Sequence, residues 1–319
     1  MNAIPSISSQ IDEKLIFKVI DKHFSRLAPH YYKWISSWLI GAYENYVDID
    51  KYIILIYIIN KDFIFFRRNR LIIDYDTFYK DKSLEVDKIN ISDISKDLQI
   101  PKETVRRKVE ELEKADVIKK KGKKIFITRT AFTTAQATFT LKNMSTVLCE
   151  FNKILEEEKI VKIVYQSTEI LDSIKKNFSF VWYQFYKFIF IFTNRWRKEL
   201  GDLETFTIGV IVLINAVENK NFKVKEFDRK KYSISIQGSD ERGVNAMSLA
   251  EITGIPRSTV IRKLKSLIKK DLLQINEKNL IIVNMRGESF KMFQRLQYQN
   301  IISLSNFISR TFNHLKITN

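Results

Sequence analysis

A long internal repeat constrains this chain more than any other feature. Pro101 and Pro256 lie 155 positions apart, and at that shift Asn90 meets Asn245, Ile100 meets Ile255, Thr104-Val105 meets Thr259-Val260, and Arg107-Lys108 meets Arg262-Lys263. Lys114 and Asp116 likewise meet Lys269 and Asp271. At a shift of 154, Tyr32-Lys33 meets Tyr186-Lys187, Ile35 meets Ile189, Asp48 meets Asp202, and Tyr52 meets Phe206. A whole domain is therefore used twice, and the two copies are expected to pair about a pseudo-two-fold axis within one chain. The expected units are a tail at 1–10, a first domain at 11–158 and a second at 159–319.

Each copy reads as the same series of elements. An aromatic helix (12–45; 163–199) precedes a second apolar helix (49–60; 203–218) and a polar loop (67–90; 219–246). Two short helices, a hairpin and a long closing helix (130–158; 286–316) follow. Only 8 Gly and 4 Pro in 319 residues argue for long helices over a turn-rich sheet fold, so the fold class is mainly α. The stretch from Gln237 to Gly243 reads as a mobile surface tip.

The segment ISDISKDLQIPKETVRRKVEELEKADVIKKKGKKIFIT carries the chemistry. Ser92 can cap a short helix with Ile94 and Leu98 facing inward, and Pro101 opens the next. In that next helix Val105, Val109 and Leu112 form one apolar stripe, which leaves Lys102, Glu103, Thr104, Arg106 and Arg107 outward. Val117-Ile118 and Ile125–Ile127 read as two strands around a loop containing Lys119, Lys120, Lys121, Lys123 and Lys124. Copy two repeats this in MSLAEITGIPRSTVIRKLKSLIKKDLLQINEKNLIIV. There Ser248 and Glu251 suggest a capping box, Val260, Leu264, Leu267 and Ile268 form the stripe, and Arg257, Ser258, Thr259, Arg262, Lys263 and Lys265 remain outward. Lys278 sits at the tip of the second hairpin.

These two segments resemble the winged helix-turn-helix of bacterial transcription regulators, most similar to the MarR and Crp groups. The resemblance covers about 40 residues in each copy, with helix-turn-helix at 91–115 and 247–270 and wings at 117–128 and 272–284. It implies an α+β winged-helix fold used in tandem, and outer helices that build a MarR-like pseudo-dimer. The expected seam runs along Ala131–Leu155 and Ile163–Leu200. The partner it implies is double-stranded DNA, with the second short helix of each copy in a major groove.

An Arg can donate to two acceptors of guanine, whereas Lys, Ser and Thr near a helix start mostly hold phosphates. Arg107 and Arg262 occupy one position in both copies and are the first candidates for reading bases. The plainer reading pairs them with carboxylates such as Glu103 or Glu110. The first wing, with five lysines, is expected to add more non-specific affinity than the second. The recognition helices differ, so the expected site is an imperfect palindrome.

A balance of 54 Lys plus Arg against 37 Asp plus Glu gives +17, which favours polyanionic partners, although AT-rich codon usage supplies some of this excess. The single cysteine, Cys149, fits an inert packed thiol in a reducing cytoplasmic, nucleoid-associated setting. No secretory signal or membrane span is read, and no membrane partner is expected. Glu156-Glu157-Glu158 reads as a solvated helix end. No catalytic constellation, metal spacing or cofactor loop is found, so an enzyme is not expected. The aromatic stripes (Tyr31, Tyr32, Trp34, Trp38; Phe185, Tyr186, Phe188, Phe190, Phe192, Trp196) read as core or interface. A lesser reading places an effector pocket beside them. Further homodimerisation through Phe293, Leu296, Ile301, Leu304, Ile308 and Phe312 stays open, as do a plasmid-type replication initiator and an architectural DNA-binding protein.

Overall fold

The computed structural model describes residues 10–80, 83–86, 90–122, 124–134, 137–218, 226–236, 243–284 and 286–315. The first nine residues, Lys123 and most of the 237–243 tip lie outside them. The chain is mainly helical. In the first half run α1 (Glu13–Lys22), α2 (Phe24–Tyr46), α3 (Ile49–Arg68), α4 (Tyr75–Lys80), β1 (Ser83–Val86), α5 (Ile91–Leu98), α6 (Lys102–Lys114), β2 (Ile118–Lys121), β3 (Lys124–Thr128), α7 (Arg129–Thr134) and α8 (Thr138–Glu157). In the second run α9 (Ser167–Lys176), α10 (Phe178–Leu200), α11 (Leu203–Val217), α12 (Arg229–Ile236), α13 (Ala246–Thr253), α14 (Arg257–Lys269), β4 (Leu273–Ile275), β5 (Ile281–Val283) and α15 (Gly287–Leu315).

The halves share the same order of elements apart from β1 and α7, which are named only in the first, and the backbone repeats at the turns. The residue closing α2 is Val47 at φ 56°, and its counterpart after α10 is Gly201 at φ 92°. Gln99 (φ 54°) answers Gly254 (φ 68°), and Asp116 (φ 55°) answers Asp271 (φ 54°). Left-handed residues at three equivalent positions mean that the same chain reversals build both halves.

Packing between the halves is reciprocal. Helix α2 lies on α11 as α10 lies on α3, and α1 lies on α15 as α9 lies on α8. Within the halves α2 packs on α8 and α10 on α15. Each of these contacts thus has its mirror under exchange of copies, the pattern of an isologous interface. The expected seam of 131–155 with 163–200 is too narrow: α2, α3, α11 and the two chain ends share it. The aromatic stripes meet at its centre, where Trp34 stacks on Phe188 at 6.0 Å and 12° and lies 5.4 Å from Phe185. Both α2 and α10 bury their aromatic residues on more than one side because each touches two neighbouring helices.

Several boundaries differ from the sequence reading. The aromatic helices break at His23 and Asn177, equivalent positions that end α1 and α9. His23 Nε2 lies 2.8 Å from Glu158 Oε1, and Asn177 Oδ1 lies 3.1 Å from His314 Nε2. Arg26 donates to Glu157 at 2.8 Å and Lys22 to Glu158 at 2.7 Å. Glu157 and Glu158 are therefore bound to α1 and α2 rather than only solvated. The expected polar loops contain α4 with β1, and α12, because Phe78, Val86, Tyr232 and Ile236 have buried sites to fill. Strand β1 pairs with β3 to give the order β1-β3-β2, and in the second half the single bridge Val244 to Ile281 takes its place.

On α15, Phe293, Leu296, Ile301, Leu304, Ile308 and Phe312 are at most 5% exposed. That apolar face is consumed inside the chain against α10 and α1, so it is not a surface for a second copy. Cys149 is buried, donates to the Tyr165 carbonyl at 3.4 Å, and has its thiol pKa raised by burial. Among the described residues no single helix is long and apolar enough to cross a membrane. The α10–α11 pair passes that test jointly but is bent by 93°.

Candidate nucleic-acid interface

In each half a short helix, a left-handed turn, a second helix and a hairpin form one compact unit. Ile94 and Leu98 of α5 are buried with Val105, Val109 and Leu112 of α6, while Leu249 of α13 is buried with Val260, Leu264 and Leu267 of α14. Pro101 and Pro256 stand one position before α6 and α14, as N-caps at φ −53°. The first helices start earlier than expected. Asn90 is the N-cap of α5 in place of Ser92, and Asn245 caps α13 by accepting from the Ser248 N–H at 2.9 Å, which replaces the expected Ser248–Glu251 box. Asn245 serves as well as Ser there because its short side chain reaches the same orphan N–H groups, whereas Asn90 holds the N-cap position with no side-chain cap bond.

A carboxylate at the start of the second long helix fixes each unit to the body. Asp48 accepts from the Lys51 N–H at 2.9 Å and pairs through its other oxygen with Lys108, which is buried on α6. Asp202 accepts from the Thr205 N–H at 2.8 Å and pairs likewise with Lys263 on α14. One side chain thereby caps a helix and holds the ammonium of another, a charge-assisted contact in both copies. Lys263 was expected to face DNA, and its side chain is only 15% exposed. It is a strut, because the helical period turns it to the same side as the apolar stripe. The signal was present, since both Lys108/Lys263 and Asp48/Asp202 recur across the repeat.

The two struts flank the meeting point of α3 and α11. There the Ile49 N–H donates to Glu204 at 3.1 Å, and burial raises the Glu204 pKa. The Arg197 guanidinium donates to Asp50 at 2.6 Å and to the Leu98 carbonyl at 2.9 Å, while Asn194 donates to the Asp97 carbonyl at 2.8 Å. Helix α10 of the second half therefore caps the last turn of α5 in the first. This cross-clamp was not read from sequence, since Arg197 and Asn194 belong to no motif.

The outward faces are unequal. Helix α6 carries five cations against four carboxylates, whereas α14 carries five cations and no carboxylate. Arg106 pairs with Glu103 at 3.2 Å, and Arg107 with Glu111 at 3.7 Å rather than with Glu103 or Glu110. In the first hairpin Lys119 pairs with Asp116 at 3.0 Å, Lys120 with Glu113 at 2.7 Å, and Lys124 with Glu85. Lys121 lies over the Phe126 ring at 5.5 Å. Lys102 and Glu103 are exposed and Thr104 is half-buried. On α14, Arg257, Ser258, Arg262 and Lys265 are exposed and Thr259 is half-buried. None of Arg257, Arg262, Lys265 and the exposed hairpin residue Lys278 forms an ion pair among the described residues. The pairing thus differs between the units: carboxylates lie against Arg106, Arg107, Lys119, Lys120 and Lys124 in the first, whereas Arg257, Arg262, Lys265 and Lys278 in the second have none among the described residues.

Beneath the second unit lies an apolar cavity of about 60 Å³, lined by Gly209, Leu213, Leu267, Trp196, Phe206 and Phe293 among others. Leu55, fully buried, is the counterpart of Gly209 in the first half. An open groove of about 420 Å³ beside Trp38, Tyr52 and Phe139 marks the first half at Gly41, where the second half has Arg195 bonded to α15. Comparison with protein-family models, curated proteins and solved structures finds no match.

Proposed function

We propose that this chain is a sequence-specific double-stranded DNA-binding transcription regulator, made of two MarR-like winged helix-turn-helix domains paired within one chain. The observation that carries the reading is the matched placement of α6 and α14. Each is the second helix of a short pair, each is followed by a hairpin, and each is pinned by an equivalent lysine to an equivalent aspartate beside the junction of α3 and α11. Two such helices related by a pseudo-two-fold can enter successive major grooves about one turn apart. In this reading α14 supplies most of the affinity through Arg257, Arg262, Lys265 and Lys278, and Arg262 reads a base. Helix α6 contributes selectivity, because Glu103 and Glu110 repel phosphate unless the local geometry satisfies them.

Selection from a random duplex pool by the purified chain, at about 150 mM salt where distant charges are screened, tests this. Two unequal half-sites about one turn apart are expected. A fully symmetric optimum refutes the pseudo-dimer's asymmetry. An unenriched pool refutes sequence-specific binding.

A further inference from the structure

We propose that the turn closing α3, together with the end of α9, docks on the surface of an anionic phospholipid bilayer. From residue 65 to residue 72 every side chain except Phe66 is exposed. Phe65, Leu71 and Ile72 are 56%, 45% and 50% exposed, and Arg67, Arg68 and Arg70 stand among them. Arg67 donates to the Tyr183 hydroxyl at 2.7 Å, whereas Arg68 and Arg70 form no ion pair among the described residues. Lys175 extends the patch from α9, its ammonium 5.5 Å from the Tyr75 ring centre. The nearby carboxylates are Asp74, Asp76 and Asp172, and Asp74 is already engaged as acceptor from the Thr77 N–H and hydroxyl.

Three large apolar side chains clustered in water gain nothing for the folded chain, so their pairing with unneutralised arginines points to a partner that takes both. Duplex DNA would accept the arginines and leave Phe65, Leu71 and Ile72 in water. A bilayer surface accepts the guanidinium groups at its phosphates and the apolar groups at its acyl boundary. This is a peripheral contact with no spanning helix, and it differs from the sequence reading in giving the chain a membrane partner. Its place is compatible with DNA binding: α3 has 20 residues and so is about 30 Å long, with the strut to α6 at its first turn and the patch at its last.

The test is co-sedimentation of the full chain with vesicles of phosphatidylcholine alone and of phosphatidylcholine mixed with phosphatidylglycerol. Binding to the mixed vesicles only is expected. Arg68→Gln with Arg70→Gln should weaken it about thirtyfold, at about fivefold per cation near an anionic surface. Leu71→Ser with Ile72→Ser should weaken it at least about tenfold through lost apolar burial. Both double variants should keep the parent melting temperature, since none of the four side chains is buried. Arg257→Gln with Arg262→Gln should leave vesicle binding intact. The proposal is overturned by equal binding to both vesicles or none, or by insensitivity to Leu71→Ser with Ile72→Ser. It is also overturned if the α14 pair matters as much as the α3 pair, or if Arg68→Gln with Arg70→Gln weakens duplex binding and spares the vesicles.

Discussion

Val47 is where one copy of the repeat argues against the other. It closes α2 at φ 56° with its N–H donating to the Tyr43 carbonyl at 2.6 Å, and Gly201 closes α10 with the same bond to Arg197 at 2.8 Å. A left-handed residue with a Cβ costs about 1–2 kcal/mol, and a β-branched one belongs at the upper end. Because Val47 is 70% exposed, its removal forfeits only about 0.5 kcal/mol of burial. Glycine's greater freedom in the unfolded chain takes back roughly 0.5–1 kcal/mol. Val47→Gly should therefore stabilise the chain, by up to about 1 kcal/mol.

Urea denaturation reads this as a higher midpoint at unchanged slope. For a chain of this length the matching rise in melting temperature is only about 1–2 °C, so the denaturant midpoint is the better measure. Two partner variants isolate the cause. Val47→Ala keeps a Cβ in the left-handed region and should recover little, whereas Gly201→Val should cost about 1–2 kcal/mol. If Val47→Gly destabilises, or if Val47→Ala does as well as Val47→Gly, the backbone account is wrong and the side chain at 47 has another role.

Four further outcomes follow from the same geometry. Gly209→Ala removes a glycine from the interior of α11 and sets its new Cβ 3.6 Å from Leu267, an ordinary contact beside the apolar cavity, so a gain of about 1 kcal/mol in unfolding free energy is expected. Lys108→Ala leaves Asp48 capping α3 without its cation and should cost about 1–2 kcal/mol, moderated because Asp48 is partly exposed; a neutral result by denaturation would dismiss the strut. Glu204→Gln should leave the chain at least as stable as its parent at neutral pH: burial raises the folded-state pKa, so the protonated form is favoured below the usual value of 4.5 and stability falls as pH rises through the raised one. A difference between parent and variant that grows toward acid pH would contradict this sign. In duplex binding, Arg262→Ala should cost about 1–3 kcal/mol at its half-site and Arg107→Ala less, because Arg107 is already engaged with Glu111; the opposite ranking refutes the assigned asymmetry.

Legibility in the sequence followed the range of the interaction. The repeat, the two short-helix pairs and both hairpins were readable because each depends on local periodicity and on residues fixed by a turn. Helix starts differ by a residue or more because Asn90 and Asn245 stand at the N-cap positions in place of Ser92 and Ser248, and Asn245 supplies the cap bond, since Ser and Asn compete for the same N–H groups. Strand β1 was invisible: Leu84 and Val86 gain their β character only from pairing with Ile127 and Ile125, some 40 residues away. The outward position of Lys263 was misjudged for a related reason. A lysine four residues from an apolar stripe position reads as surface until Asp202, distant in sequence, supplies the charge that lets it turn inward.

The divergence between the copies is itself an argument about how such a chain works. Duplication alone would yield two equal units and two equal half-sites. Here the first unit is held from the second half by Arg197 at the Leu98 carbonyl and Asn194 at the Asp97 carbonyl, and its outer cations face carboxylates. The second unit leaves Arg257, Arg262, Lys265 and Lys278 without an ion pair among the described residues and rests above the space that Gly209 leaves and Leu55 fills in the first. On the proposed DNA-binding reading, a tightly fixed unit whose second helix has nearly balanced charge suits discrimination, because a misfitting sequence cannot be accommodated by movement and gains little from that helix's charge. On the same reading, a unit whose second helix carries five cations and no carboxylate, set over a cavity, suits capture, because that helix's charge draws it to a duplex and the cavity lets α14 adjust at low cost. Hydrogen exchange separates these roles: amides of α13 and α14 should exchange faster than those of α5 and α6, and Gly209→Leu, which fills the cavity, should narrow the gap. Equal exchange in the two units would mean that the asymmetry is one of charge alone.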